Sequence, residues 1–411
     1  MAEPFDVVII GAGAAGIAAG RRLARAGVSF LALEARNRIG GRTMTVACAF
    51  PLDLGAGWLH SADRNVMTAI AEASGFEVDR TPAPWERQSG DQGLSPGEQE
   101  EFRRAFQRFE QRIDAQAERD GVRAASFYLA PQSRWTPMMN AIFSYISGAA
   151  LDDIDARDYA RYEDTGLNWR VRQSYGALIA ACGAGLPVQT ETSVREIDHS
   201  GAHVLLRTSR GEVVARAVII TVPTSMYARL RFTPDLPDKR AAATALPLGA
   251  AEKVHFALAQ AEEFPSDGHL FARFDAADTG SYHVRPLGRP LLEGYFGGAL
   301  ARGLAEAGPE AMADFAKQEL AGLLGSQFPA RLTILASSCW SQDAFALGSY
   351  SYATPGNADA RTALAAPHGE RLFFAGEACS RARYSTVHGA FESGHDAAEQ
   401  ALAQLAPSPR A

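Results

Sequence analysis

Scarcity sets the first limits. Among 411 residues there are four cysteines, Cys48, Cys182, Cys339 and Cys379, far apart in the chain. Their spacing fits neither a disulfide framework nor a metal cluster, so no metal and a reducing, cytoplasmic setting are expected. No apolar run is long enough to span a bilayer, and the closing APSPRA (406–411) is short and polar. The first buried strand is expected to start at Phe5, leaving no room for a signal peptide. No basic stripe rich in aromatics exists, and the net charge of -7 argues against nucleic acid as a partner. That charge could draw a cationic substrate or serve solubility alone. Internal repeats and long low-complexity segments are missing too.

What is present is a chain that is 47% hydrophobic, enough for two packed domains. Phe5 to Ile10 reads as a buried parallel strand. Gly11, Gly13 and Gly16 follow as GxGxxG, Ala14 to Ala26 reads as a helix, and Gly27 is placed to end it. A second strand, Val28 to Leu33, finishes on Glu34. Gly11 permits a tight turn, Gly13 lets a pyrophosphate approach the backbone, and Gly16 brings helix and strand close. The helix N-terminus offers N–H groups and a favourable dipole to phosphates, and Glu34 is placed to accept from ribose hydroxyls. Strand, glycines, helix, strand and terminal acid together point to a dinucleotide. Arg36, Gly40, Gly41 and Arg42 then offer a second approach to the pyrophosphate, with Arg42 as a donor fork. An NAD domain does not need that second clamp, which tilts the choice to FAD.

On these motifs the chain resembles the flavin amine oxidases. The resemblance rests on the glycines, Glu34, Arg38-Ile39-Gly40-Gly41-Arg42 and Asp53-Leu54-Gly55-Ala56-Gly57-Trp58. It returns late, at Phe373 through Ala378, at Ser385-Thr386-Val387-His388-Gly389-Ala390 and at Trp340 through Pro355. The tracts around Trp58-Leu59-His60 and Ser385–Ala390 are closer to the polyamine oxidase branch. It implies an α/β fold, a Rossmann-like FAD-binding domain with an interleaved α+β substrate domain of the amine oxidase type. The expected division is 1–85, 175–224 and 335–411 for FAD, and 86–174 and 225–334 for substrate.

The residues between the motifs fit that plan. Ser95-Pro96-Gly97-Glu98 reads as an N-cap, a proline at N1 and a capping-box acid. Phe102, Phe106, Phe109 and Ile113 recur on one helical face, read as a core-facing stripe rather than a cofactor contact. Ser89 to Gly93 reads as a loop, Ala177 to Cys182 as a return helix, and Ser193–Ile197, Val204–Arg207 and Val213–Ile220 as strands. Lys253 to Leu258 alternates polar and apolar positions, as in a sheet with one face on a site. Ala301 to Gly325 is helix-rich by pattern.

The resemblance also implies a chemistry. An amine carbon–nitrogen bond loses a hydride equivalent to flavin N5, the imine is hydrolysed, and oxygen reoxidises the flavin to give hydrogen peroxide. Lys253 matches the family lysine that reaches N5 through water. Tyr350 is expected beside the isoalloxazine, with Thr386 where monoamine oxidases carry a second tyrosine. Trp340 is expected as a pocket wall, and His60 as a contact for the amine. Gly57, Trp58, Val194 (by its backbone), Gly376, Glu377, Val387 and Ala390 are expected around FAD. Ser349 stands where monoamine oxidases place the cysteine that binds flavin covalently, so noncovalent FAD is expected. His388 reads as either a flavin neighbour or part of a polar core network. Glu163 and Asp164 are tempting amine anchors without secure placement; an amino-acid oxidase would need a buried basic residue for the substrate carboxylate, and nothing in the sequence singles out Arg170 or Arg172 for it. Substrates are expected to be a small amine and oxygen, with polyamines favoured. An aromatic monoamine or L-amino-acid oxidase, a desaturase and a non-catalytic flavoprotein scaffold are the alternatives. Cleavage side and oligomeric state are not read.

Overall fold

Six consecutive residues, Phe5–Ile10, form the central strand of a large sheet, in a computed structural model that describes residues 3–405. The APSPRA tail lies outside the described residues. Val7, Val8 and Ile9 are fully buried because helices cover both sheet faces, so an apolar run rather than an alternating one is required. Phe30–Leu33 and then Val188–Gln189 lie parallel on one side of it, and Gly211–Ile220 lies on the other. The long strand Gly211–Ile220 serves two neighbours along one edge. Its first half pairs antiparallel with Val204–Thr208, and its end pairs parallel with Leu372–Phe374 from the far end of the chain. Two distant parts of the polypeptide thus meet in one sheet.

The helix Ala14–Ala26 follows the glycine turn and ends at Gly27, whose φ of 70° is the left-handed cap expected there. The second strand begins at Phe30, two residues later than its pattern suggests, because Ser29 turns both its N–H and its hydroxyl to Asp6. The helix packs against Val387–Leu405, which makes the C-terminal helix part of the same layer.

The second sheet has five antiparallel strands in the order Gly268–Phe271, Ser281–Val284, Leu291–Gly297, Ala251–Leu258 and Leu332–Ser337. Val254, Phe256 and Leu258 point into an apolar cluster covered by the helices Gly298–Ala307 and Pro309–Leu324. Lys253 and His255 take the opposite face, as the alternation demands. That face is buried as well, since it roofs a cavity between the sheets.

Two expected boundaries need correction. Residues 225–245 belong with the large sheet, not the substrate part. Arg231–Thr233 pairs parallel with Val194–Asp198, and the helix Pro237–Ala245 packs into the cluster of Ile197, Val218 and Phe374. The boundary at 334 also falls inside the strand Leu332–Ser337 of the small sheet. A three-residue strand carries too little pattern to be seen before its partner is known. Among the described residues no helix is long and apolar enough to cross a membrane.

The helix Pro96–Gln116 opens with the expected capping box, in which Ser95 and Glu98 satisfy each other's backbone N–H groups. Its aromatic stripe divides. Phe109 and Ile113 are fully buried, whereas Phe102 and Phe106 are half-buried and also form cavity wall. The reading of a purely core-facing stripe is corrected to that extent: this helix spans the edge of the cavity, so its first turns face open space.

Candidate active site

One cavity of about 1170 Å³ is lined from both sheets and takes in Glu34 and Val194 together with Phe102, Glu110 and Asp114. The strand Phe5–Ile10 gives way to Gly11, with φ of +103°, and Gly13 caps the helix Ala14–Ala26. No side chain caps that terminus, so its N–H groups are available to an anion in the cavity. Gly41, with φ of +58°, crosses so near that a Cβ there would lie 3.2 Å from the Cα of Gly13. Gly16 does not line the cavity. A Cβ on it would fall 1.9 Å from the carbonyl oxygen of Gly11, so its part is to let helix and turn touch.

Glu34 is buried at the strand end, accepting from the N–H of Ala12 at 2.8 Å and of Arg36 at 2.9 Å. Each carboxylate oxygen keeps a further lone pair for a hydroxyl. Arg36 pairs with Asp343 and stacks over Phe345, closing the rim. Uncapped helix, crossed glycine backbones and terminal acid make a cradle for a pyrophosphate and a ribose. FAD fits these residues.

Arg42, Gly57, Trp58, Gly376, Glu377, Val387 and Ala390 line the same cavity. Glu377 is saturated by its own chain: Arg42 Nη1 at 3.1 Å, the Ser351 hydroxyl at 2.7 Å and the Ser385 N–H at 3.0 Å. Burial pushes its pKa up, but Arg42, Ser351, Arg361 and the Ser385 N–H outweigh this and hold it below the ordinary value. Its carboxylate therefore fixes Arg42 and the 351–385 loops. Reach to a ribityl or phosphate group would have to pass through those partners. Ser349 exchanges hydrogen bonds with the backbone of Ala251, at 2.6 and 2.8 Å, which locks the hydroxyl into the strand.

Lys253, His60, Tyr350, Thr386 and Trp340 all line the same cavity. Lys253 is buried; its Nζ donates to the carbonyl of Asp53 at 3.2 Å and lies 3.3 Å from Glu293. Tyr350 is held by Tyr295 Oη at 2.9 Å and by the carbonyl of Tyr145, so three tyrosines make one wall. Thr386 uses its hydroxyl locally, donating to Arg383 and accepting from the Gly389 N–H. It presents a small wall where an aromatic ring would otherwise stand. The Trp340 indole donates to Leu54 O at 2.8 Å. Its loop is fixed by the fully buried Glu252, which accepts from Ser338, Trp340 and Ser341.

His60 Nδ1 lies 2.6 Å from Asn168 Oδ1, while the Asn168 amide nitrogen donates to Gly166 O. With Asn168 oriented as acceptor, Nδ1 carries the proton and Nε2 is left as an acceptor. Burial lowers the His60 pKa, so the ring is neutral near pH 7. His388 is not a wall residue; it bonds Asn65, whose amide also holds His60 O, and burial pushes it down to about 4. The core-network reading of His388 is the one the geometry matches.

Glu110, Asp114 and Asp164 line the cavity with Phe102, Phe106, Tyr159 and Tyr162, and Asp164 accepts from the Ser61 hydroxyl beside His60. Glu163 points away and pairs with Arg383. Arg170 is consumed by Asp79 and Asp267 under the Trp58 ring, and Arg172 by Glu77 and Asp79. Sequence reasoning missed Glu293, Tyr295, Tyr145, Glu252, Glu110 and Asp114. The one available signal was Glu293 itself, a charge inside the apolar run LLEGYFG.

The family model for flavin containing amine oxidoreductase matches residues 14–148 and 137–402. The chain belongs to that family. With membership goes FAD-dependent amine oxidation in its general form. Polyamine oxidase 2 from Arabidopsis thaliana is 29% identical to this amine oxidoreductase, over 96% of this chain and 87% of the relative. Polyamine oxidase 4 from Oryza sativa subsp. japonica is 27% identical, over 97% and 89%. Among solved structures, cyclohexylamine oxidase from Brevibacterium oxydans IH-35A superposes with a TM-score of 0.82 at 23% identity, over 98% of this chain and all (100%) of that one. A putrescine oxidase redesigned in cofactor binding gives 0.76 at 20%, over 97% and 99%. At those identities the superpositions speak for the fold.

Proposed function

We propose that the protein oxidises a small amine bearing a second cationic nitrogen, a diamine or polyamine, with noncovalently held FAD and oxygen as final acceptor. When bound, FAD supplies the two-electron acceptor for the carbon–nitrogen bond and returns the electrons to oxygen, giving hydrogen peroxide. The observation that carries the reading is continuity: one cavity joins the dinucleotide cradle, the Lys253 ammonium and the carboxylates Glu110, Asp114 and Asp164.

The side chains then have separable tasks. Tyr350, Tyr295 and Trp340 line the cavity, guiding the amine and excluding water. Neutral His60 offers Nε2 to an amine N–H, orienting the nitrogen. Lys253 orients a water that can serve imine hydrolysis and proton delivery during reoxidation. The carboxylates and their aromatic neighbours suit a second ammonium. Arg170, the buried arginine under Trp58, already holds two aspartates and is not free for an L-amino-acid carboxylate.

The test is anaerobic bleaching of the flavin across diamines, free and acetylated polyamines, monoamines and amino acids. Diamines or polyamines should bleach fastest, with aldehyde and peroxide formed on admitting air. If no amine bleaches the flavin, the reading is lost and the scaffold alternative stands.

A further inference from the structure

Glu293 sits where no motif placed a residue, on the strand Leu291–Gly297 beside the strand of Lys253. Its Oε1 is 3.3 Å from Lys253 Nζ, and its Oε2 is 3.6 Å from His255 Nε2. The register explains the placement. His269, His283, Glu293 and His255 stand opposite one another on four neighbouring strands, so one rung of the roof is polar across its width. Two of the histidines have other attachments, His269 to Ser281 and His283 to Asp267, whereas neither ring nitrogen of His255 has a hydrogen-bond partner among the described residues. Glu293 faces the cavity with only 18% of its side chain exposed. Burial alone would push its pKa up, but Lys253, His255 and His283 hold it below the ordinary value, so it stays a carboxylate.

The consequence is a charge balance in the cavity. A buried ammonium standing alone would repel any cationic amine brought beside it. Paired with Glu293 it presents a dipole, with no net charge. Its Oε1 faces the Lys253 ammonium and its Oε2 lies 3.6 Å from His255 Nε2, and the double variant below separates this charge-balancing role from direct binding of the substrate.

We propose that Glu293 is a positioning and specificity-determining residue: it seats the Lys253 ammonium and cancels its charge, and so admits cationic amines to the reaction centre. This rests on the amine-oxidase reading above. Removing the carboxylate gives the centre a net positive charge and turns its preference from cations towards anions.

The measurement is binding of two unreactive probes to the FAD-loaded protein, read as perturbation of flavin absorption without turnover. The probes are the dication 1,4-diguanidinobutane and the anion benzoate. Glu293→Gln should weaken the dication and strengthen benzoate, changing their affinity ratio by about 10- to 100-fold, the size of one uncompensated charge a few ångströms away. Glu293→Asp should retain the wild-type order. The double variant Lys253→Met/Glu293→Gln removes both charges and should return the ratio towards wild type. It also supplies a neutral centre should the single variant fail to hold FAD. A ratio unchanged within about twofold in Glu293→Gln overturns the inference, as does a double variant that keeps the altered ratio, which would make Glu293 a direct ligand anchor. If wild-type flavin is bleached by amines while the ratio does not move, this inference alone fails. If no amine bleaches it, the functional reading fails and the ratio still reports on Glu293.

Discussion

At Lys253 the chain concentrates one of its three lysines on a cavity wall, among thirty-seven arginines. A compact ammonium on a flexible stem can seat a single water, whereas a guanidinium would fill the same space with a planar fork. Lys253→Met should keep FAD bound and slow flavin reoxidation by about 10²-fold, the usual worth of a positioned proton donor. Unchanged reductive and oxidative half-reactions in stopped-flow would remove Lys253 from the mechanism. Ser349 carries the second residue-scale prediction. Its hydroxyl is spent on the Ala251 backbone and offers no thiolate, so acid precipitation should leave yellow FAD in the supernatant. Colour in the pellet would contradict it. The place of Lys253 on the cavity wall was legible through the family resemblance. Glu293 was not, since only the strand register brings it opposite His255 and beside Lys253.

The helix Ala14–Ala26 was legible almost to the residue, because its ends are written in local chemistry: glycine turn before, left-handed Gly27 after. Its glycine at 16 separates two competing effects. Alanine is the better helix former by about 1 kcal/mol, yet a Cβ here would strike Gly11 O at 1.9 Å. Gly16→Ala should therefore destabilise the protein and weaken FAD retention. Gly303, inside the helix Gly298–Ala307, meets nothing within 4 Å, so Gly303→Ala should stabilise by up to about 1 kcal/mol. Urea denaturation of both variants checks the pair, and a gain at Gly16 would show that the contact yields. The short strand Arg231–Thr233 was illegible for the opposite reason: three residues hold no period, and pairing with Val194–Asp198 defines them.

Across the whole molecule, buried histidines couple stability to pH. Burial lowers the pKa of His60 and His255 and pushes His269 and His388 down to about 3 and about 4. Unfolded histidines titrate near 6.5, so below that pH the unfolded chain binds protons that the folded one refuses. The histidine contribution to stability is full above about pH 6.5 and is lost as pH falls towards the folded values. Each such histidine contributes up to about 1.4 kcal/mol per pH unit within that window. Asp53, Glu110 and Glu319, raised by burial, pull the other way at lower pH. Urea midpoints at saturating FAD should accordingly fall between pH 7.5 and 5.5. A midpoint that holds or rises would mean these rings take up protons without loss of the fold.

The sequence by itself determined the dinucleotide cradle and the family, because each is written in neighbouring residues whose backbone needs or reactive groups are local. Tertiary structure alone decided that the long strand Gly211–Ile220 joins both chain ends, that Arg170 is spent on aspartates, and that Glu293 meets Lys253. Those facts depend on strand register and on the distance between residues far apart in the chain, and charge balance in a buried cavity exists only once such residues have been brought together.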